Sequence, residues 1–135
     1  MSGVLFDTYA WIEYLEGSEE GKTAEKFLED RGTEVYTSIL AIGELSDAFH
    51  RGGVDTELDW GEIQDFIQMN SVIVDLNVEE MADAGKLKVE KRKELRDFGL
   101  IDVMILKSSK KLDAKLLTGD PHLTKEDNAI SLQSI

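Results

Sequence analysis

The apolar positions of the chain fall into short continuous runs that alternate with longer stretches of helical period. Val4-Leu5-Phe6 is an apolar triplet ended by Asp7, which reads as a buried strand, and YAWIEYLEG after it carries a helical spacing punctuated by Gly17. A second helix is predicted from Ser18 to about Asp30, with Ser18 as N-cap and Gly21 an inconvenience in its first turn. EVYTS reads as a strand, and Ser38 can cap a helix that runs to about His50 and stops at Gly52-Gly53. Beyond it, WGEIQDFIQM reads as an amphipathic helix, SVIVDL as a strand and VEEMADAGKLKVEKRKEL as a long helix. LIDVMILKSSKKL is a strongly apolar helix, KLLTGD a strand entering a turn at the single proline, Pro121, and AISLQSI a weak terminal strand.

Strands of this kind separated by helices predict an α/β fold with a parallel sheet covered on both faces. The 135 residues make one domain, 1–135, long enough to bury roughly two thirds of the unfolded surface. In such a sheet ligands collect beyond the carboxyl ends of the strands. Asp7 and Asp120 both stand just past a predicted strand end, although Asp7 has a simpler role available as the cap of the helix that follows.

Composition narrows the chemistry. With no cysteine and only His50 and His122, thiolate and histidine-based zinc sites are excluded in practice, so any metal must be held by oxygen. The N-terminus lacks a basic region followed by an uninterrupted apolar stretch, and no segment approaches the ~20 apolar residues that span a bilayer. A cytoplasmic protein without a membrane partner is expected. The formal net charge of -13 argues against a protein that coats duplexes by neutralising phosphates. The charge is uneven, however: residues 1–85 carry 20 acidic and 4 basic side chains, whereas residues 86–115 carry 5 acidic and 10 basic. KLKVEKRKELR is therefore either a solvated helix face or a phosphate-contacting edge, with Lys86, Lys88, Arg92, Lys93 and Arg96 as the contacts.

Most of the 28 acids lie on polar helix faces. Glu44 differs, with Leu40 and Ala41 one turn before it and Ala48 one turn after, although Asp47 beside it dilutes the pattern. Asp102 lies between Ile101 and Val103 and one turn before Ile105 and Leu106. Each has a structural explanation of its own: Glu44 as an exposed acid at a stripe edge, Asp102 as an N-terminal acid favoured by the helix dipole, Asp120 as a turn residue before proline. A single hypothesis covers Asp7, Glu44, Asp102 and Asp120 if they converge at the carboxyl edge of the sheet. Close carboxylates repel by about 4 kcal/mol per pair at an effective dielectric near 20, and a divalent cation relieves that repulsion. Mg²⁺ or Mn²⁺ suits an all-oxygen nest.

FDTYAWIEYL, TSILAIGEL, GLIDVMIL and LLTGDPHL resemble, in order, the four motifs of the PIN domain family. The resemblance spans nearly the whole chain and, in size, is greatest to VapC-like toxins of toxin–antitoxin pairs. It implies a three-layer α/β/α domain with a central parallel sheet, and a catalytic acidic metal site of Asp7, Glu44, Asp102 and Asp120 with Thr8 and Thr118 as hydroxyl neighbours. It also implies Mg²⁺- or Mn²⁺-dependent hydrolysis of RNA, a homodimer, and silencing by a VapB-like antitoxin. The sequence departs from the family at LKSSKKL, where small residues are usual, and at His122-Leu123, where an acid-aromatic pair is common. Two other readings stay open: a PIN-type RNA-processing nuclease, and a PIN-like module that binds RNA or protein without cutting. A haloacid-dehalogenase phosphatase would need an Asp where Tyr9 stands, a receiver domain lacks its acidic pair, and a P-loop is absent. Trp11, Tyr14 and Trp60 belong either to the core or to a partner groove.

Overall fold

In the computed structural model, residues 2–93 and 99–133 are described. Among them the chain forms β1 (Ser2–Phe6), α1 (Thr8–Glu16), α2 (Gly21–Glu29), β2 (Thr33–Ser38), α3 (Ile39–His50), α4 (Trp60–Asn70), β3 (Val72–Val74), α5 (Val78–Arg92), α6 (Leu100–Lys111), β4 (Lys115–Thr118) and β5 (Ala129–Ser131). The five strands pair in the order β3-β2-β1-β4-β5, and every pairing is parallel. The α/β sandwich expected from the alternating runs is the fold observed. The third strand is shorter than SVIVDL, and the last ends at Ser131. No described helix is long and apolar enough to cross a membrane.

Side chains on a strand point alternately to the two faces, and this alternation separates two cores. Val4, Phe6, Val35 and Leu117 face one cluster with Ala10, Trp11, Ala24, Ile63 and Ile67. Leu5 and Leu116 face the other, with Ala84, Val103, Ile105 and Leu106. Helices α1, α2 and α4 thus cover one face and α5 and α6 the other, while α3 contributes Leu45 to the first cluster and Ala41 to the second. Trp11 is a core residue, 1% exposed, its indole nitrogen donating to Thr37 Oγ1 at 3.1 Å. Tyr14 stacks on Phe66, and Trp60 packs against Phe49 and His50, so these three aromatics hold helices to one another.

Local signals set the helix ends. Ser38 accepts from the Leu40 N–H and starts α3, and Asp59–Glu62 and Asn77–Glu80 form reciprocal capping boxes on α4 and α5. The start of α2 differs from expectation: the helix begins at Gly21, and Ser18 Oγ accepts from the Gly21 N–H from a preceding turn. Gly21 is a requirement rather than an inconvenience. A Cβ there would run into the Glu13 carbonyl and stand 2.9 Å from Tyr14 Cα, so only glycine lets α2 pack this closely on α1. Gly21→Ala is expected to lower stability by about 3 kcal/mol, read as a fall in the urea midpoint with an unchanged m-value.

Candidate active site

In a parallel sheet all strands end on one edge, and helices returning antiparallel begin there. Asp7 leaves β1 onto that edge, Asp120 follows β4 by two residues, and Asp102 occupies the first turn of α6. Glu44 lies in the second turn of α3. Together they line an open cleft of about 330 Å³ whose walls also include Thr8, Tyr9, Ile12, Asp47, Ala48, Arg51 and Ile105. All four acids singled out in the sequence are therefore brought to one place.

Asp7 does two things at once. Its Oδ1 accepts from the Ala10 N–H at 2.8 Å, so it is the N-cap of α1, and its Oδ2 accepts from the hydroxyl of Thr118, itself fully buried. At 3% exposure, burial pushes its carboxyl up to about 7, against the opposing pull of the Thr118 and Ala10 hydrogen bonds and with further repulsion from Asp120 and Asp102. Asp102 is pushed up to about 6, first by burial, then by the charges of Asp120 and Glu44 and by a hydrogen bond to Asp120 that favours its protonated form. Thr8 donates to Glu44 Oε1 at 2.7 Å, fixing that carboxylate across from α1. Thr118 Oγ1 also accepts from the Asp120 N–H at 3.0 Å, and Asp120 Oδ1 accepts from the His122 N–H at 2.8 Å. Thr118 thus braces Asp7 to the Asp120 turn, and Thr8 ties Glu44 to α1.

The donor set is all oxygen and anionic, which fits a hard divalent cation and not a thiophilic one. Among the described residues, no three acidic or histidine side chains yet stand close enough together to hold an ion.

Three polar lining residues, Tyr9, Asp47 and Arg51, are not among the site residues expected from the sequence. Glu44, Asp47, Ala48 and Arg51 follow the i, i+3, i+4, i+7 rule and share one face of α3. Asp47 therefore continues the cleft face rather than diluting it, and the same period would have found Arg51. Tyr9, 54% exposed, lies one turn before Ile12 on the α1 wall.

The basic segment carries several ion pairs. Lys91 pairs with Glu126 at 2.6 Å, Lys107 with Asp83 at 3.9 Å, Lys110 with Glu126 and Asp127, and Lys111 with Glu80 at 2.9 Å. Among the candidate phosphate contacts, Lys86 and Lys93 are exposed and Lys88 half-buried, and none of the three lines the cleft. Arg92 closes α5; Arg96 lies outside the described residues.

Comparison with known proteins places this arrangement in a family. The fold is similar to a toxin–antitoxin complex protein from Klebsiella pneumoniae (17% identity, TM-score 0.69, 98% of this chain and 99% of that one). It is also similar to a chain of VapBC2 from Rickettsia felis bound to a promoter DNA fragment (15% identity, TM-score 0.68, 96% of each chain). A third similar structure is Mycobacterium tuberculosis VapC20, described as a sarcin-ricin loop cleaving toxin (16% identity, TM-score 0.64, 87% of this chain and 91% of that one). No curated protein sequence matches the chain. The PIN domain family model matches residues 4–127, from within the first strand to beyond the Asp120 turn, and the chain belongs to the PIN domain family.

Proposed function

We propose that this protein is a divalent-metal-dependent endoribonuclease, the toxin of a VapBC-type pair. The observation that carries the reading is the convergence of Asp7, Glu44, Asp102 and Asp120 on one cleft at the carboxyl edge of a PIN-domain sheet. Support for the toxin assignment comes from the structural neighbours, which are toxin–antitoxin proteins and include one described as cleaving RNA. In this reading the protein forms a homodimer and is silenced by a VapB-like antitoxin.

Asp7 and Asp102 would hold Mg²⁺ or Mn²⁺, with Asp120 and Glu44 completing the nest or positioning water. When bound, the cation supplies positive charge that offsets charge developing on the phosphoryl group and makes an adjacent water more acidic. The protein's own contribution is positioning. Thr118 fixes one oxygen of Asp7, Ala10 the other, and Thr8 one oxygen of Glu44, so these carboxylates lose little rotamer freedom when substrate arrives.

The alternative is a PIN-like module that binds RNA or protein without cutting. Purified chain, freed of any antitoxin, separates the two readings. Cleavage of a structured RNA panel with Mg²⁺ or Mn²⁺, abolished by EDTA and restored by excess metal, is the expected result. RNA left intact under both metals by well-folded protein would leave the binding module as the better account.

A further inference from the structure

Five carboxylates line the cleft, those of Asp7, Glu44, Asp47, Asp102 and Asp120. A phosphodiester chain entering it meets like charge on every acid-bearing wall, and a cation held among four of the acids offsets only part of that. Among the described lining residues the single basic side chain is Arg51. It stands at the C-cap of α3, two turns beyond Glu44 on the same face, and so about 10 Å from it along the helix axis. Its Nε donates to Asp47 Oδ2 at 2.9 Å. That bond uses one edge of the guanidinium and fixes its plane, while the other donors of the fork remain for a second acceptor. The side chain is two-thirds exposed, as is Asp47, and an exposed i,i+4 pair of this kind contributes little to stability. Holding the fold therefore does not explain why a tethered guanidinium faces an acidic cleft.

We propose that Arg51 is a substrate-positioning residue that grips a phosphate flanking the bond to be cut, with Asp47 as the tether that orients its fork. The inference rests on the nuclease reading and deepens it. Arginine suits the task because its planar fork donates to two phosphate oxygens at once, whereas the compact ammonium of lysine provides charge without that geometry. The distance from Glu44 sets the gripped phosphate beside the scissile one rather than at it. The loss on removing Arg51 then falls on KM more than on kcat.

The test is steady-state cleavage of an RNA that the parent protein cuts, with Arg51→Gln and Arg51→Lys beside it. For Arg51→Gln, KM is expected to rise about tenfold, with the slope of log affinity against log salt smaller by about one. Arg51→Lys should fall between the two, and melting temperatures should agree across all three. Single methylphosphonate replacements across the cleavage site then locate the contact: at one flanking position, neutralising the phosphate weakens the parent but adds nothing to Arg51→Gln. An unchanged KM and salt slope in Arg51→Gln would overturn the assignment, as would methylphosphonate losses that add to the variant's at every position. A parent that cuts no RNA at all would instead remove the nuclease reading on which the grip depends.

Discussion

Asp7→Asn lowers RNA cleavage by at least about a hundredfold and, in metal-free buffer at pH 8, makes the protein more stable than the parent. Loss of cleavage alone is an uninformative outcome, because a ruined fold gives the same result; the opposite movement of stability is what ties the residue to function. The parent holds a buried carboxylate whose protonation is favoured up to about pH 7 instead of the ordinary aspartate value of 3.8. Each unit of that difference corresponds to about 1.4 kcal/mol, so ionised Asp7 costs the fold up to about 4 kcal/mol at pH 8. The amide removes that cost. It keeps the bond from the Ala10 N–H that caps α1, but its NH₂ now faces the Thr118 hydroxyl, which already accepts from the Asp120 N–H. The buried Thr118 proton then lacks its acceptor, a loss of about 1–2 kcal/mol. The net expectation is a gain of about 2 kcal/mol, measured by urea unfolding at pH 8 with EDTA. A variant less stable than the parent would mean that the bond from Thr118 outweighs the cost of burying the charge; a variant that cuts RNA as well as the parent would remove Asp7 from the active site.

That tension between stability and function was partly visible in the sequence. The sequence offers Asp7 two roles, N-cap and cleft acid, and the geometry shows both at once: one oxygen caps α1 while the other meets Thr118. The sheet was readable because Val4-Leu5-Phe6 and Leu116-Leu117 are short apolar runs buried on both faces, a pattern that survives without knowledge of partners. Features created by contacts between distant segments were not readable. Gly21 is demanded by the Glu13 carbonyl of the neighbouring helix, and no local rule contains that clash. Lys91 and Lys110 likewise find partners, Glu126 and Asp127, in the loop before β5, far outside helical spacing. Arg51 was the reverse case. Its period with Glu44 is present in the sequence, but a basic residue at a helix C-terminus has an ordinary explanation in the helix dipole.

The pH dependence of stability follows from the same cleft. Asp7 and Asp102 both bind protons more tightly folded than unfolded, Asp7 with a folded value of about 7 and Asp102 of about 6. Their contribution is fully present below pH 4 and lost as the pH rises through 6 and 7. Asp30 and Glu80 act in the opposite sense, since hydrogen bonds from Gly32 and Asn77 hold their carboxyls below the usual range, and their contribution disappears in acid. Metal-free protein is therefore expected to be most stable near pH 5 and to lose stability from there to pH 8. Saturating Mn²⁺ should reverse that loss at pH 8, by about 2.7 kcal/mol at a hundred times the dissociation constant, because the cation offsets the repulsion that protons otherwise relieve. At pH 5 the same concentration should do much less, as protons compete for the same oxygens. Thermal melts at pH 5 and 8, with EDTA or Mn²⁺, measure all four corners, and Asp7→Asn should flatten both the pH slope and the metal response. A parent that melts equally at the two pH values, or a Mn²⁺ shift as large in Asp7→Asn as in the parent, would place the cation elsewhere and leave Asp7 without the role of ligand.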